Sequence, residues 1–260
     1  HNTCNVSSTS HNRIKFPGTK RKPNTSSDDT CNRFSTIKYP HNILHSSKKA
    51  QIFKVQNSLT TDKLEPETFD LILTNPPFGK GKIKRKNEED KKILENFSND
   101  IVNGNILMES DKLALGSKKY SGGEWRINSS VDPAILFLDK CLQLLKPGGL
   151  LSIVLPDGIL SNSSDQYVRE YLLGKKNKNT GEFEGGKTVI KGIVSLPNET
   201  FRLSGTGAKT SFVYLKKKEH AGEKQGAIFM AVADEVGFEV KNNVEILLGD
   251  DKNDLLNIVD

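Results

Sequence analysis

The ordering of hydrophobic and polar positions changes sharply near residue 50. Residues 1–50 are rich in Ser, Thr, Asn, Lys and Arg, and their apolar residues (Val6, Ile14, Phe16, Phe34, Ile37, Ile43, Leu44) keep neither a period of 2 nor one of 3.6. That segment reads as irregular or divergent. From residue 51 the pattern becomes regular. Gln51–Val55 alternates as a short strand, and Phe69–Thr74 is a compact apolar run closed by Asn75-Pro76-Pro77. Proline lacks a backbone donor and restricts its predecessor, so the strand stops there. Residues 79–92 are basic, then mixed in charge, and predict a loop entering a helix near Ile93–Phe97. Asp132-Pro133 is a helix start, with Asp as N-cap and Pro at the first helical position. Ile135, Phe137, Leu138, Leu142 and Leu145 then form one buried face, and Lys146–Gly149 is expected to end the helix and turn the chain. A buried strand is predicted at Leu150–Leu155, a helix from Asp165 to Leu173 stopped by Gly174, and strands at Val189–Leu196, Thr210–Leu215 and Ala227–Ala233.

Strands alternating with helices predict an α/β fold: a mostly parallel sheet covered by helices, with an antiparallel edge strand where the runs at 189–196 and 210–215 pair directly. The expected organisation is an irregular N-terminal segment (1–50), an α/β core (51–220) and a C-terminal extension of that core (221–260). In such sheets ligands bind at the carboxyl ends of strands. Asn75–Phe78 lies at one such end and Pro156-Asp157-Gly158 at another.

Composition narrows the function classes. The 260 residues are 35% hydrophobic and 27% charged, which fits a globular chain and excludes a wholly disordered one. No apolar stretch approaches the ~18 residues of a membrane span, so no membrane partner is expected. The chain shows no charged-then-apolar leader and begins with His1, as a fragment or processed product would. Cys4, Cys31 and Cys141 are far apart, which argues against disulfides or zinc and for reduced thiols in the cytoplasm. The five histidines show no metal-ligand spacing, so no metal is expected. The net charge of +6 is compatible with a nucleic-acid partner and equally with a solvated basic surface. Lys80 and Lys82 follow the first strand end directly and are candidates for contacts to substrate phosphates.

Asn75-Pro76-Pro77-Phe78 carries the chemistry. Two prolines hold the backbone extended, and the Asn amide offers both an acceptor and a donor. An amino group on a flat ring fits here: the Asn75 side-chain oxygen and the Pro76 carbonyl accept its two N–H groups, and Phe78 stacks on the ring. The exocyclic amine of adenine is a poor nucleophile because its lone pair is delocalised. Accepting both hydrogens draws the nitrogen towards a tetrahedral form and localises that pair for attack on an electrophilic methyl group. Positioning and stabilisation of developing charge then supply most of the help. A base inside a duplex cannot reach such a pocket and must be flipped out.

FDLILTNPPFG, LLKPGGLLSIVLPDGIL, IKGIVSLPNETF and GAKTSFVYLKKK, in that order, resemble the N6-adenine DNA methyltransferases, and most of all the modification (M) subunits of type I restriction–modification systems. The resemblance covers roughly residues 52–260, including IFMAVADEVGFEV and NDLLNIV. It implies a Rossmann-like class I S-adenosylmethionine-dependent methyltransferase fold, S-adenosylmethionine as methyl donor and a flipped adenine in double-stranded DNA as acceptor. It also implies association with a specificity subunit and a restriction subunit, and makes 51–220 the catalytic core. Carried over, Asn75, Pro76, Pro77 and Phe78 form the catalytic tip. Asn57 and Ser58 fall where the family places its contacts to the cofactor's adenine. Pro156, Asp157, Gly158 and the Phe201–Lys209 loop fall on the target-base side. The family's Gly-x-Gly loop and the acidic residue that follows it have no counterpart before residue 50, where Gly18 is the only glycine. The expectation is therefore a methyltransferase subunit with an incomplete N-terminal part and weak cofactor binding by this chain alone. Two other readings stay open: methylation of an RNA base or a glutamine amide, and a non-catalytic remnant that binds DNA or a partner.

Overall fold

A computed structural model describes residues 57–77, 81–98, 101–102, 105–106, 115–119, 123, 125–204 and 207–259. The expected strand at Gln51–Val55 and the segment 1–50 lie outside the described residues.

The apolar runs pair into a five-stranded sheet. Its strands are β1 (Phe69–Thr74), β2 (Leu145–Pro156), β3 (Thr188–Leu196), β4 (Thr210–Lys217) and β5 (Phe229–Val232), in the spatial order β1-β2-β4-β3-β5. β1 and β2 are parallel, as are β3 and β5, whereas β4 runs antiparallel to both of its neighbours. Four strands therefore share one direction, and the sheet is mostly parallel as expected. The antiparallel strand, however, lies inside the described sheet and not at its edge. β3 and β4 do form the expected direct pair, but β4 also pairs with β2 along seven residues from Lys216 to Thr210, which leaves β3 further out. β2 is central, and Leu151–Leu155 is buried throughout, as a strand covered on both faces must be.

Helix α1 spans Glu88–Asn96, with Asn87 as its cap: the Asn87 side chain accepts from the backbone N–H groups of Glu89 and Asp90. It starts earlier than the expected Ile93, because the polar run Glu88–Lys92 forms its exposed turns. α2 (Pro133–Leu144) begins as the sequence predicts, with Asp132 accepting from the Ala134 N–H at 2.9 Å and Pro133 at the first position. Nine of its twelve residues are buried. It ends at Leu144, just before Lys146–Gly149 as expected; these four residues lie within the span of β2 but pair with no residue of β1, whose partners jump from Leu145 to Leu150, and Gly148 takes a φ of +79°. α3 (Asp157–Ser161) follows β2 at once, and α4 (Gln166–Leu173) ends at Gly174, whose φ is +98°. Leu151, Ile153, Leu155, Val213 and Leu215 join α2 and α4 in the main core on one face. Val154, Val194 and Leu196 point to the other face, where they meet Phe201, Ala233 and Val236. A hairpin of β6 (Phe238–Lys241) and β7 (Val244–Leu247), together with α5 (Asp254–Val259), completes the chain; Phe238, Leu255 and Ile258 pack on that second cluster.

Candidate active site at the carboxyl rim of the sheet

β1 and β2 deliver their carboxyl ends side by side, with Thr74 paired to Ile153. β1 stops at Asn75-Pro76-Pro77, while β2 continues to Pro156. Asn75 is exposed, Pro76 is buried and Pro77 is half-buried. The tip is thus anchored through its first proline and presents its amide at the surface. Phe78, the expected stacking ring, and Lys80 lie outside the described residues.

Pro156, Asp157 and Gly158 form the adjoining strand end, all half-buried. β4 begins at the same rim because it runs the opposite way, and Thr210 pairs with Pro156. The Asp157 N–H donates to the Lys209 carbonyl at 2.9 Å, and the Ser211 hydroxyl donates to Asp157 Oδ1 at 2.7 Å. Asp157 therefore fastens the returning end of the β3–β4 connection to the end of β2. The Thr210 hydroxyl is fully buried and has no hydrogen-bond partner among the described residues. Sequence reasoning missed Ser211 and Thr210, since only the register of β4 against β2 brings them to Asp157 and Pro156.

Asn57 and Ser58 are not joined to this rim by any hydrogen bond among the described residues. Asn57 Oδ1 accepts from the Leu59 N–H at 3.0 Å, and the next turn is tied to α2 through Lys140 Nζ and the Thr61 carbonyl at 3.5 Å. Burial lowers the Lys140 pKa from its ordinary value, with Cys141 acting in the opposite direction. The Ser58 hydroxyl is buried without a partner among the described residues. An orphaned hydroxyl beside an exposed amide fits one edge of a purine-bearing cofactor. Among the described residues there is no group of three or more His, Cys, Asp or Glu able to hold a metal ion.

The segment between β1 and α2 carries basic side chains on two short ribbons. Ile83–Lys84 pairs with Ser130–Val131, and Ser117–Lys119 pairs with Trp125–Ile127. Arg85 joins the two ribbons, its Nη1 donating to the Ile127 carbonyl at 3.3 Å. Lys82, Lys84, Arg85 and Lys86 are exposed, as are Lys119 and Arg126. Trp125 is half-buried opposite Lys119, and Lys118 Nζ lies 5.6 Å from the centre of the Tyr167 ring. The segment is held from below by Asp139 of α2, which has no exposed surface. Asp139 Oδ2 accepts from the Leu115 N–H at 2.9 Å and Oδ1 from the Tyr171 hydroxyl at 3.2 Å. Burial, reinforced by the charge and hydrogen bond of Asp139, pushes the Tyr171 pKa well above its ordinary value.

No helix among the described residues is long and apolar enough to cross a membrane. No curated relative matches the chain. Among solved structures, it is similar to the type I restriction–modification methyltransferase subunit of Streptococcus thermophilus, at 22% identity and a TM-score of 0.43 over 78% of this chain and 34% of that one. It is similar at 16% identity and a TM-score of 0.36 to the M protein of the type I restriction enzyme EcoKI, over 72% of this chain and 28% of that one. A structure from Listeria monocytogenes, assigned to the class I S-adenosylmethionine-dependent methyltransferases, is 19% identical with a TM-score of 0.39 over 67% of this chain and 39% of that one. The chain spans well under half the length of each, and these likenesses add nothing to an assignment that rests on the sequence itself. The family model for N-6 DNA Methylase matches residues 39–258, most of the chain, and the protein therefore belongs to the N-6 DNA methylase family.

Proposed function

We propose that the chain carries the methyl-acceptor side of an adenine-specific DNA methyltransferase, as part of a type I modification subunit that works with a specificity subunit and a restriction subunit. One observation carries the reading: an exposed Asn75 on a proline-anchored tip, set beside the end of β2 at the carboxyl rim. An adenine flipped out of double-stranded DNA places its N6 amine against this tip. The Asn75 side-chain oxygen and the Pro76 carbonyl accept the two N–H groups, which localises the nitrogen lone pair. S-adenosylmethionine, when bound, supplies an electrophilic methyl group on a sulfonium sulfur. The rim residues orient the amine towards it, and the proton lost from nitrogen leaves to solvent. Pro156–Gly158 and the connection ending at Lys209 border the base, while the exposed Lys82 and its neighbours meet phosphates. The order of the four motif segments supports the type I assignment and favours DNA over RNA or a glutamine amide.

The test offers labelled S-adenosylmethionine to the folded chain with duplex DNA, RNA and protein acceptors. Label at adenine N6 of DNA, reduced about 10²–10³-fold in Asn75→Ala with unchanged circular dichroism, is the expected result. Label only in RNA or protein refutes the substrate. A folded chain that gives no calorimetric heat with S-adenosylmethionine favours a non-catalytic remnant.

A further inference from the structure

The turn at Pro156–Gly158 is held on its strand side by β4, through the Lys209 carbonyl and the Ser211 hydroxyl. Its other side opens α3, a helix with little of its own to fix it. α3 is five residues long, buries only Ile159, and has no side-chain cap at its N-terminus among the described residues. Inside it, the Ser161 hydroxyl donates to the Asp157 carbonyl at 2.8 Å, and the Asn162 N–H donates to the Gly158 carbonyl at 2.8 Å. The last carbonyls of a helix have no intrahelical donors and need partners from outside.

α4 supplies them. Arg169 Nη1 donates to the Ile159 carbonyl at 3.0 Å and to the Asn162 carbonyl at 2.8 Å, so one nitrogen serves two acceptors at the end of α3. A cation suits that end of a helix, and a hydrogen bond from a charged donor is stronger than one between neutral groups. The platform under Arg169 is firm. Val168 and Leu172 are buried in the main core, and the Tyr171 hydroxyl reaches Asp139 of α2 at 3.2 Å. The held end packs on the rim backbone itself, since a Cβ at Gly158 would sit 2.9 Å from Asn162 Nδ2. We infer that Arg169 is a positioning residue for the acceptor base, acting through Asn162 and α3 on the side of the turn that β4 leaves free. The anchor stands on this geometry, and its role towards the base rests on the proposed function.

The test compares the full wild-type chain with Arg169→Leu and Arg169→Lys by amide hydrogen exchange and by methyl transfer from labelled S-adenosylmethionine to duplex DNA. In Arg169→Leu, the amides of residues 157–162 are expected to exchange at least about tenfold faster, with α2 and the rest of α4 unchanged. kcat is expected to fall about 10–100-fold, while the KM for S-adenosylmethionine and the salt dependence of duplex binding stay as in the wild type. Arg169→Lys, which keeps a cation and its donors, is expected to recover most of the protection and most of the rate. Unchanged exchange at 157–162 in Arg169→Leu overturns the anchor. Faster exchange throughout α2 and α4 overturns it too, because Arg169 then supports the whole fold and not the rim. A salt slope lowered by about 1 overturns the positioning role in favour of a direct phosphate contact, and an undiminished kcat beside a loosened α3 overturns it as well. A wild-type chain that transfers no methyl group refutes the proposed function and the role towards the base, while the exchange result still decides the anchor.

Discussion

Asp139→Ala tests how the long connection after the Asn-Pro-Pro tip is held. The substitution removes the shared acceptor of two donors, the Leu115 N–H at 2.9 Å and the Tyr171 hydroxyl at 3.2 Å. Leu115 is 1% exposed, so water does not replace the lost partner in the folded state. A hydrogen bond to a charged acceptor contributes about 1.5–3 kcal/mol, and a buried donor left unpaired costs a similar amount. Two such donors put the loss at roughly 3–5 kcal/mol, a large fraction of the 5–15 kcal/mol typical of a domain. Asp139→Asn keeps one acceptor oxygen and so is expected to cost about half as much. The assay is urea unfolding followed in two ways. Far-ultraviolet circular dichroism reports the whole chain, and the fluorescence of Trp125, the single tryptophan, reports the ribbon that Asp139 supports. If the anchor is local, the Trp125 transition moves to lower urea ahead of the dichroism. A loss below about 1 kcal/mol in Asp139→Ala, with the two transitions coincident as in the wild type, refutes the idea that Asp139 holds the segment.

Three further outcomes are expected. Tyr171 is buried beside a carboxylate and its folded pKa is raised, so its share of stability is intact below the ordinary tyrosine pKa near 10 and is lost as pH rises through the folded value; Tyr171→Phe should flatten the stability–pH curve above about pH 10, and an unchanged slope would count against the raised pKa. At Gly174, φ is +98° and an added Cβ would sit 2.2 Å from the Glu184 carbonyl oxygen, so Gly174→Ala should cost about 2–4 kcal/mol in chemical denaturation, and a neutral result would contradict the backbone described. Replacing Lys84 and Arg85 by Gln should lower the slope of log K against log salt for duplex binding by about 2, whereas an unchanged slope would place the phosphates elsewhere.

Legibility in the sequence followed how local each determinant is. The start of α2 was readable because Asp132 and Pro133 act on their immediate neighbours, and the end of α4 because Gly174 takes a backbone conformation that other residues resist. α1 was misjudged because its first turns are exposed; Glu88–Lys92 resembles loop material, and the informative residue was the cap at Asn87. The β6–β7 hairpin left a signal that went unread. Asn242-Asn243, with φ of +52° and +59°, separates Phe238–Lys241 from Val244–Leu247, as a tight turn with two left-handed residues does. The position of β4 could not be read at all, since chain order does not fix spatial order within a sheet. For the same reason Asn75 and Asp157 were visible as strand ends, whereas Ser211 and Thr210 became site residues only through the pairing of β4 with β2. Asp139 was detectable in principle, as a lone acid four residues after Ile135 on a helix face otherwise apolar.

These pieces share a mechanical logic. The segment after Pro77 leaves the Asn-Pro-Pro tip, forms two basic ribbons, and returns at Asp132 to cap the helix that packs against β2. Its middle is fixed by a buried carboxylate on that helix, and Asp157, at the end of the neighbouring strand, fixes the returning end of the β3–β4 connection. Asn75 itself has little to hold it: it is exposed and relies on the burial of Pro76. On the proposed function, a tip that grips an extruded base within a few tenths of an ångström owes its rigidity to clamps outside the motif. The Asn-Pro-Pro signature carries the proposed chemistry, while Asp139 and Asp157, which no four-residue motif contains, hold the segments that follow and adjoin it.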